Sequence, residues 1–333
     1  MGFTPPALEQ FRRRTGASDP ADYFDFEVRH VGISPTRLET DFTPWVGTMP
    51  PNGHVNEWGI GHVPGSLYHF EDYVHPLRDA RTAADVEAYP FPDILADYRY
   101  EGFAERVAAW RERGYAVSGG IPHYSGTLFE CAWILRGMEN LLVDFLVNPE
   151  VAEALLDRLT HTGVESARRA AAAGVDVLET GDDVGTQRGM MMSPALWRQW
   201  LKGRLAQVIA AAKAVKPDLI VLYHSDGNIE HIIPELIEVG VDVLNPVQPE
   251  CMDPAALKLC YGDRLAFWGT VGTQTTMPFG TPEEVRAVVR ERIETVGEGG
   301  GLLLAPTHVI EPEVPWANIL AFFQAIDEAA TGA

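Results

Sequence analysis

Leu219-Ile220-Val221-Leu222-Tyr223-His224-Ser225-Asp226-Gly227-Asn228 is the stretch that decides the fold. Its first half is apolar at consecutive positions, so a strand made from it must be covered on both faces. It then breaks at once into a polar turn. Doubly covered strands that end in polar residues belong to parallel sheets flanked by helices. Five further runs of this kind follow the same logic: Tyr115–Gly119, Val175–Thr180, Val241–Asn245, Leu265–Gly269 and Gly301–Ala305. Between them lie amphipathic stretches with marked starts. Thr281-Pro282-Glu283-Glu284 combines an N-cap, a proline at the first helical position and a capping-box glutamate. Val285, Val288, Val289, Ile293 and Val296 then recur at helical spacing. Asn148-Pro149, Ser193-Pro194 and Asp253-Pro254 read as further helix starts.

Residues 1–114 are less regular and rich in proline and aromatics, with a strand expected near Phe24–Arg29 and a turn at Trp58-Gly59. No low-complexity linker or internal repeat divides the chain. The expectation is an α/β fold, a single elaborated (β/α)8 TIM barrel over residues 1–333, with a cap and first strands in 1–114 and the main barrel in 115–330. No G-x-G-x-x-G turn follows an early strand, which argues against a doubly wound dinucleotide-binding sheet.

Lys and Arg number 26 against 47 Asp and Glu, a formal charge of −21 that repels phosphate and so excludes a nucleic-acid binder. The same charge disfavours anionic membrane surfaces. The three cysteines, Cys131, Cys251 and Cys260, are too few to staple a chain of 333 residues and read as reduced thiols. Met1 to Gly16 lacks the apolar run of a secretory signal, and Pro6 stands where an acylation motif needs Ser or Thr. Apolar stretches such as Leu205–Ala212 are far shorter than the ~20 residues of a membrane span. A soluble, cytoplasmic protein is expected, and a homodimer is compatible with the sequence without being required by it.

In an α/β barrel the active site is built from the loops after the strands. Here those ends carry Glu179 with Asp182-Asp183, then His224-Ser225-Asp226, then Asn245 with Gln248, then Gln274, and finally His308. His224, Asp226 and His308 offer two imidazoles and a carboxylate, a set that holds a divalent ion and leaves positions open for substrate. Asp182, Asp183 or Glu179 would add a ligand or orient one. The competing reading makes Asp226 a helix N-cap and His224 a strand end. His123 and Tyr124 form a candidate acid/base pair or line the mouth. Glu179, Gln187, Asn245, Gln248, Gln274 and Arg29 with its neighbour His30 are candidate substrate contacts, a surface ion pair being the alternative for Arg29 and His30. Glu57, Trp58, His62 and His69 are candidate lid residues, with ordinary packing as the alternative.

Several of these residues stand in ordered motifs. They are Thr127–Trp133 with Arg136-Gly137-Met138-Glu139, Gly181–Gln187, His224–Gly227, Asn245–Gln248, Gly269–Gln274 and Ala305–His308. The set resembles the uroporphyrinogen decarboxylase superfamily from Phe24 to Ile326, and most of all its cobamide-dependent methyltransferase branch. The resemblance implies a distorted (β/α)8 barrel and two alternative chemistries. Decarboxylases of the family use no cofactor and hold a polycarboxylate with an early arginine motif. The corresponding Phe26–Gly32 lacks that motif, although His308 matches their late histidine. The methyltransferase branch holds zinc through His-x-Cys and a later Cys. His224 matches the histidine, while Asp226 and His308 stand at the two cysteines.

That harder ligand set suits zinc, iron or manganese acting on an oxygen substrate rather than on a thiol. The resemblance thus implies a metal-dependent transfer of a methyl group, from a small methylated or methoxy compound to a corrinoid on a separate protein. Asp182 or Asp183 would orient ligands, and His123 or Tyr124 would handle protons. The alternative is a cofactor-free decarboxylase of a smaller acid, with His308 and Asp182 stabilising charge. A non-catalytic binding barrel is the third reading.

Overall fold

The computed structural model describes residues 2–65 and 70–331. It is an α/β protein whose chain forms two compact units. One comprises Val28–Asp183 and Met192–Val221; the other comprises Met1–Glu27, Val184–Met191 and Leu222–Ala333.

In the Val28–Asp183 unit, strands β1 (Val28–His30), β2 (Ala116–Gly120) and β3 (Val177–Gly181) pair in parallel, with Val28 beside Ala116 and Ser118 beside Val177. Successive side chains face opposite ways. Val117 and Leu178 therefore join a core with Val31, Phe103, Val208 and Leu219, while their neighbours Ser118 and Glu179 face the other side. The long helix α2 (Pro149–Ala172), which follows α1 (Phe129–Arg136), lays Ala167, Ala170 and Ala171 into that core. Three alanines at helical spacing let the helix backbone approach the strands closely.

The N-terminal part of this unit holds an antiparallel sheet of His54–Val55, Gly61–Pro64 and Glu71–Val74, which the sequence reading did not anticipate. The expected turn at Trp58-Gly59 is present. Gly59 has φ +70°, and a Cβ there would lie 2.0 Å from Tyr89 Oη, which donates to the Trp58 carbonyl at 2.5 Å.

In the Leu222–Ala333 unit, β4 (Ile220–His224, whose first two residues belong to the other unit), β5 (Val243–Asn245), β6 (Ala266–Val271) and β7 (Leu302–Pro306) run parallel. The capping box of helix α3 (Pro282–Thr295) is present, Thr281 accepting from Glu284 N and Glu284 from Thr281 N. Val285 and Val289 bury against Ile319, Phe322 and Ala325 of helix α4 (Trp316–Thr331). The chain start is stitched in through Thr4 N to Ile310 O at 3.0 Å and Ile310 N to Gly2 O at 2.8 Å. Among the described residues, no helix is long and apolar enough to cross a membrane.

Candidate functional site

β4 delivers His224, and the turn after it is held from several directions. Gly227, with φ +79°, lies so close to Gly185 and Thr186 that a Cβ would meet their backbone at 2.5–2.8 Å. Its N–H donates to Gln248 Oε1 at 2.7 Å, and Asn228 N–H donates to the Thr186 carbonyl at 2.8 Å. Val184 N–H reaches Ser225 Oγ at 3.2 Å. These backbone contacts fix the turn that carries Asp226.

Two imidazoles converge on that carboxylate. His224 Nε2 lies 3.9 Å from Asp226 Oδ1, and His308 Nε2 lies 3.9 Å from Asp226 Oδ2. His308 is placed by Thr307, whose N–H continues the β6–β7 ladder to the Val271 carbonyl at 2.9 Å. Two donors on one ion at about 2.0–2.2 Å stand at most about 4.4 Å apart, so either pair taken alone has the spacing of two ligands on one divalent cation and is too long for a hydrogen bond. The His224 ring is steadied behind by Asn245, 2.5 Å from its Nδ1. The donor types and spacing fit a zinc, iron or manganese ion, so His224 and Asp226 could bind a metal, while His308 meets the other carboxylate oxygen and does not join His224 and Asp226 in a set of donors all within 4.8 Å of one another. Asp183, the residue before Val184, carries a further half-buried carboxylate of ligating type.

The other strand-end candidates have tasks that sequence reading did not assign. Gln248, 5% exposed, gives its amide oxygen to the turn at Gly227. Gln187 and Gln274 bond each other through their exposed amides at 2.8 Å. Asp182 accepts from the backbone N–H groups of Thr127, Leu128 and Glu130 at 2.9–3.2 Å. It thus caps α1, a helix before it in the chain. Burial and the nearby Glu130 push its carboxyl well above the usual range, against those three bonds.

His123 is buried, its Nδ1 donating to the Thr127 carbonyl at 2.7 Å and its ring set edge-on to Trp58. Burial pulls its pKa down to about 4. Tyr124 packs against Tyr73 and His62, and burial raises its phenol. Arg29 lies inside an aromatic stack. It is 4% exposed, and its guanidinium lies over Trp110 at 4.9 Å and Tyr115 at 4.4 Å.

His30, one residue on and on the opposite face, pairs instead with Glu179 at 3.3 Å. That hydrogen bond raises His30. Burial alone would raise Glu179, but the bond and charge of His30 outweigh it and hold the carboxylate low. The sequence grouped His30 with Arg29 as a substrate contact or surface ion pair; strand alternation turns the two opposite ways, and the ion pair falls to His30.

Among the lid candidates, Glu57 holds Arg99 through both oxygens at 3.0 Å, and Trp58 is 3% exposed. His62 is clamped between Glu71 at 2.6 Å and Asn56 at 3.0 Å. His69 lies outside the described residues.

Residues 69–329 match the uroporphyrinogen decarboxylase (URO-D) family, and the chain belongs to it. It is an enzyme of that superfamily with a TIM-barrel-like fold. A methyltransferase from Methanosarcina mazei shares the fold, with a TM-score of 0.65 at 21% identity over 98% of this chain and 86% of that one. The methylcobamide:CoM methyltransferase MtaA of Methanosarcina barkeri is 26% identical over 255 residues, 73% of this chain and 71% of that protein. A uroporphyrinogen decarboxylase of Pseudomonas paraeruginosa is 25% identical over 259 residues, 74% and 68% of the two chains.

Proposed function

We propose that this protein is a metal-dependent enzyme that takes a methyl group from a small methylated or methoxy compound and passes it to a corrinoid carried by a separate protein. The observation that carries this reading is the convergence of His224 and His308 on Asp226 at 3.9 Å each. The likeness to a methylcobamide:CoM methyltransferase supports the corrinoid partner. His224 and Asp226 would hold the ion, with His308 as the third candidate ligand. A divalent ion bound there supplies a Lewis acid for an ether or alcohol oxygen. Two imidazoles and a carboxylate form a harder set than thiolates, which favours an oxygen ligand.

Within the same unit, Gln248 and Gly227 hold the turn that presents Asp226, and Asn245 steadies His224. In the Val28–Asp183 unit, Asp182 holds the segment from Thr127, whose carbonyl His123 bonds. His123 and Tyr124 there remain the candidates for proton handling, and Glu179 with His30 for contact with substrate. We place all of this in one URO-D-like domain acting in the cytoplasm.

The test is metal analysis of the purified protein beside a His224→Ala, His308→Ala double variant, followed by methyl transfer from methoxy compounds to free cob(I)alamin. About one equivalent of zinc, iron or manganese in the wild type, lost in the variant together with transfer, is the expected result. Absence of bound metal after supplying each ion, with release of CO2 from a carboxylic acid, would replace this reading by cofactor-free decarboxylation.

A further inference from the structure

The Asn245 carboxamide has its two ends committed to different partners. Its Nδ2 lies 2.8 Å from the Trp268 carbonyl oxygen, which has no proton, so the amide nitrogen donates there. The amide oxygen is then the atom 2.5 Å from His224 Nδ1, and it has no proton to give either. The hydrogen in this short bond therefore sits on His224 Nδ1.

We propose that Asn245 is a positioning residue that fixes the His224 proton on Nδ1 and so presents Nε2, the nitrogen turned toward Asp226, as the ligand atom. This rests on the metal-binding reading above and adds to it the residue that sets the ligand. The carboxamide is well placed for the task. Asn245 and His224 are register partners on β5 and β4, and Ser225 N–H donates to the Asn245 carbonyl at 2.9 Å. Both side chains thus ride on neighbouring strands of one ladder rather than on a loop. An imidazole that ligates a metal commonly needs its other nitrogen held by an acceptor, and loss of that acceptor weakens binding about 10–100-fold. Here an amide fills the role, oriented by a backbone carbonyl that it cannot leave without stranding its own donor.

Two-bond 1H–15N NMR on metal-free, histidine-labelled protein at about pH 9, where an ordinary imidazole is neutral, reads which nitrogen carries the hydrogen. The His224→Ala spectrum assigns the signal. Wild type is expected to show a protonated Nδ1, and Asn245→Ala is expected to shift the proton toward Nε2. Zinc affinity, from competition with a chromophoric chelator, should fall about 10–100-fold in Asn245→Ala. Asn245→Asp keeps an acceptor for Nδ1 but loses the donor to the Trp268 carbonyl, so it should keep the proton on Nδ1 and lose less zinc affinity than Asn245→Ala.

An unprotonated Nδ1 in the wild type overturns the proposal. So does an Asn245→Ala protein with unchanged tautomer and affinity. If that variant fails to fold, the wild-type spectrum decides alone. Absence of zinc binding by wild-type protein would overturn the proposed function, while the NMR still judges Asn245, so the two failures are told apart.

Discussion

His123 and Asp182 show how burial sets the behaviour of single residues. The His123 imidazole has a pKa of about 4 when folded against a value of 6.5 for the group in water. As pH falls through 6.5 the unfolded chain binds a proton and the folded chain does not, so stability declines down to about pH 4. The loss reaches at most about 3 kcal/mol. Urea unfolding of wild type and His123→Gln between pH 7 and pH 4.5 checks this, and a flatter pH dependence is expected in the variant. Asp182→Ala leaves buried N–H groups at the start of α1 without an acceptor and should cost about 2–4 kcal/mol in the same assay. Asp182→Asn keeps an acceptor oxygen and should cost markedly less. Arg29 and His30 carry a related lesson. Both are basic and adjacent, and only strand alternation separates a residue stacked on Trp110 from one paired with Glu179.

Elements decide what these residues can reach. The His30–Glu179 pair spans β1 and β3 across β2, and its two groups shift in opposite directions. The raised His30 contributes stability that is full below its ordinary value of 6.5 and lost as pH climbs through its folded value. The depressed Glu179 contributes above its ordinary value of 4.5 and loses that contribution as pH falls through its folded value. The melting-temperature gap between wild type and Glu179→Gln should therefore be widest between those two values and close toward alkaline pH. A gap that is flat across the range would show that the pair adds nothing. At the turn after β4, Gly227→Ala brings a Cβ against the Gly185 and Thr186 backbone at a positive φ. That variant should fold with reduced stability and bind zinc at least about tenfold more weakly, because Asp226 is presented by this turn.

The scale of the whole molecule concerns linkage. A ligand that binds only the folded chain stabilises it by about 2.7 kcal/mol at a hundredfold excess over Kd. Zinc should therefore raise the melting temperature of wild type and leave the His224→Ala, His308→Ala protein unmoved, as calorimetry would record. A formal charge of −21 adds a second dependence, since self-repulsion of an acidic chain weakens as salt screens it. Moderate sodium chloride should raise the melting temperature of both proteins equally, which separates screening from specific binding.

The six parallel strands read after residue 115 were legible in the chain itself, each within a few residues of where the structure has it, whereas the short antiparallel pair Gly185–Thr186 and Gly189–Met190 was not. Apolar runs, cap residues and prolines act over one turn or one strand, so they leave a local trace. That His224 and Asp226 lie side by side after a strand was legible for the same reason. The antiparallel sheet around His62 was not, because its strands are short and its pairing is set by partners rather than by pattern. What only the tertiary structure decided is who meets whom. Asp182 caps a helix more than fifty positions back at Leu128, Gln248 serves the Gly227 turn, and Asn245 orients His224 through Trp268. These contacts exist once distant segments have been brought together, and a side chain's spare hydrogen-bonding groups give no sign beforehand of which partner will satisfy them.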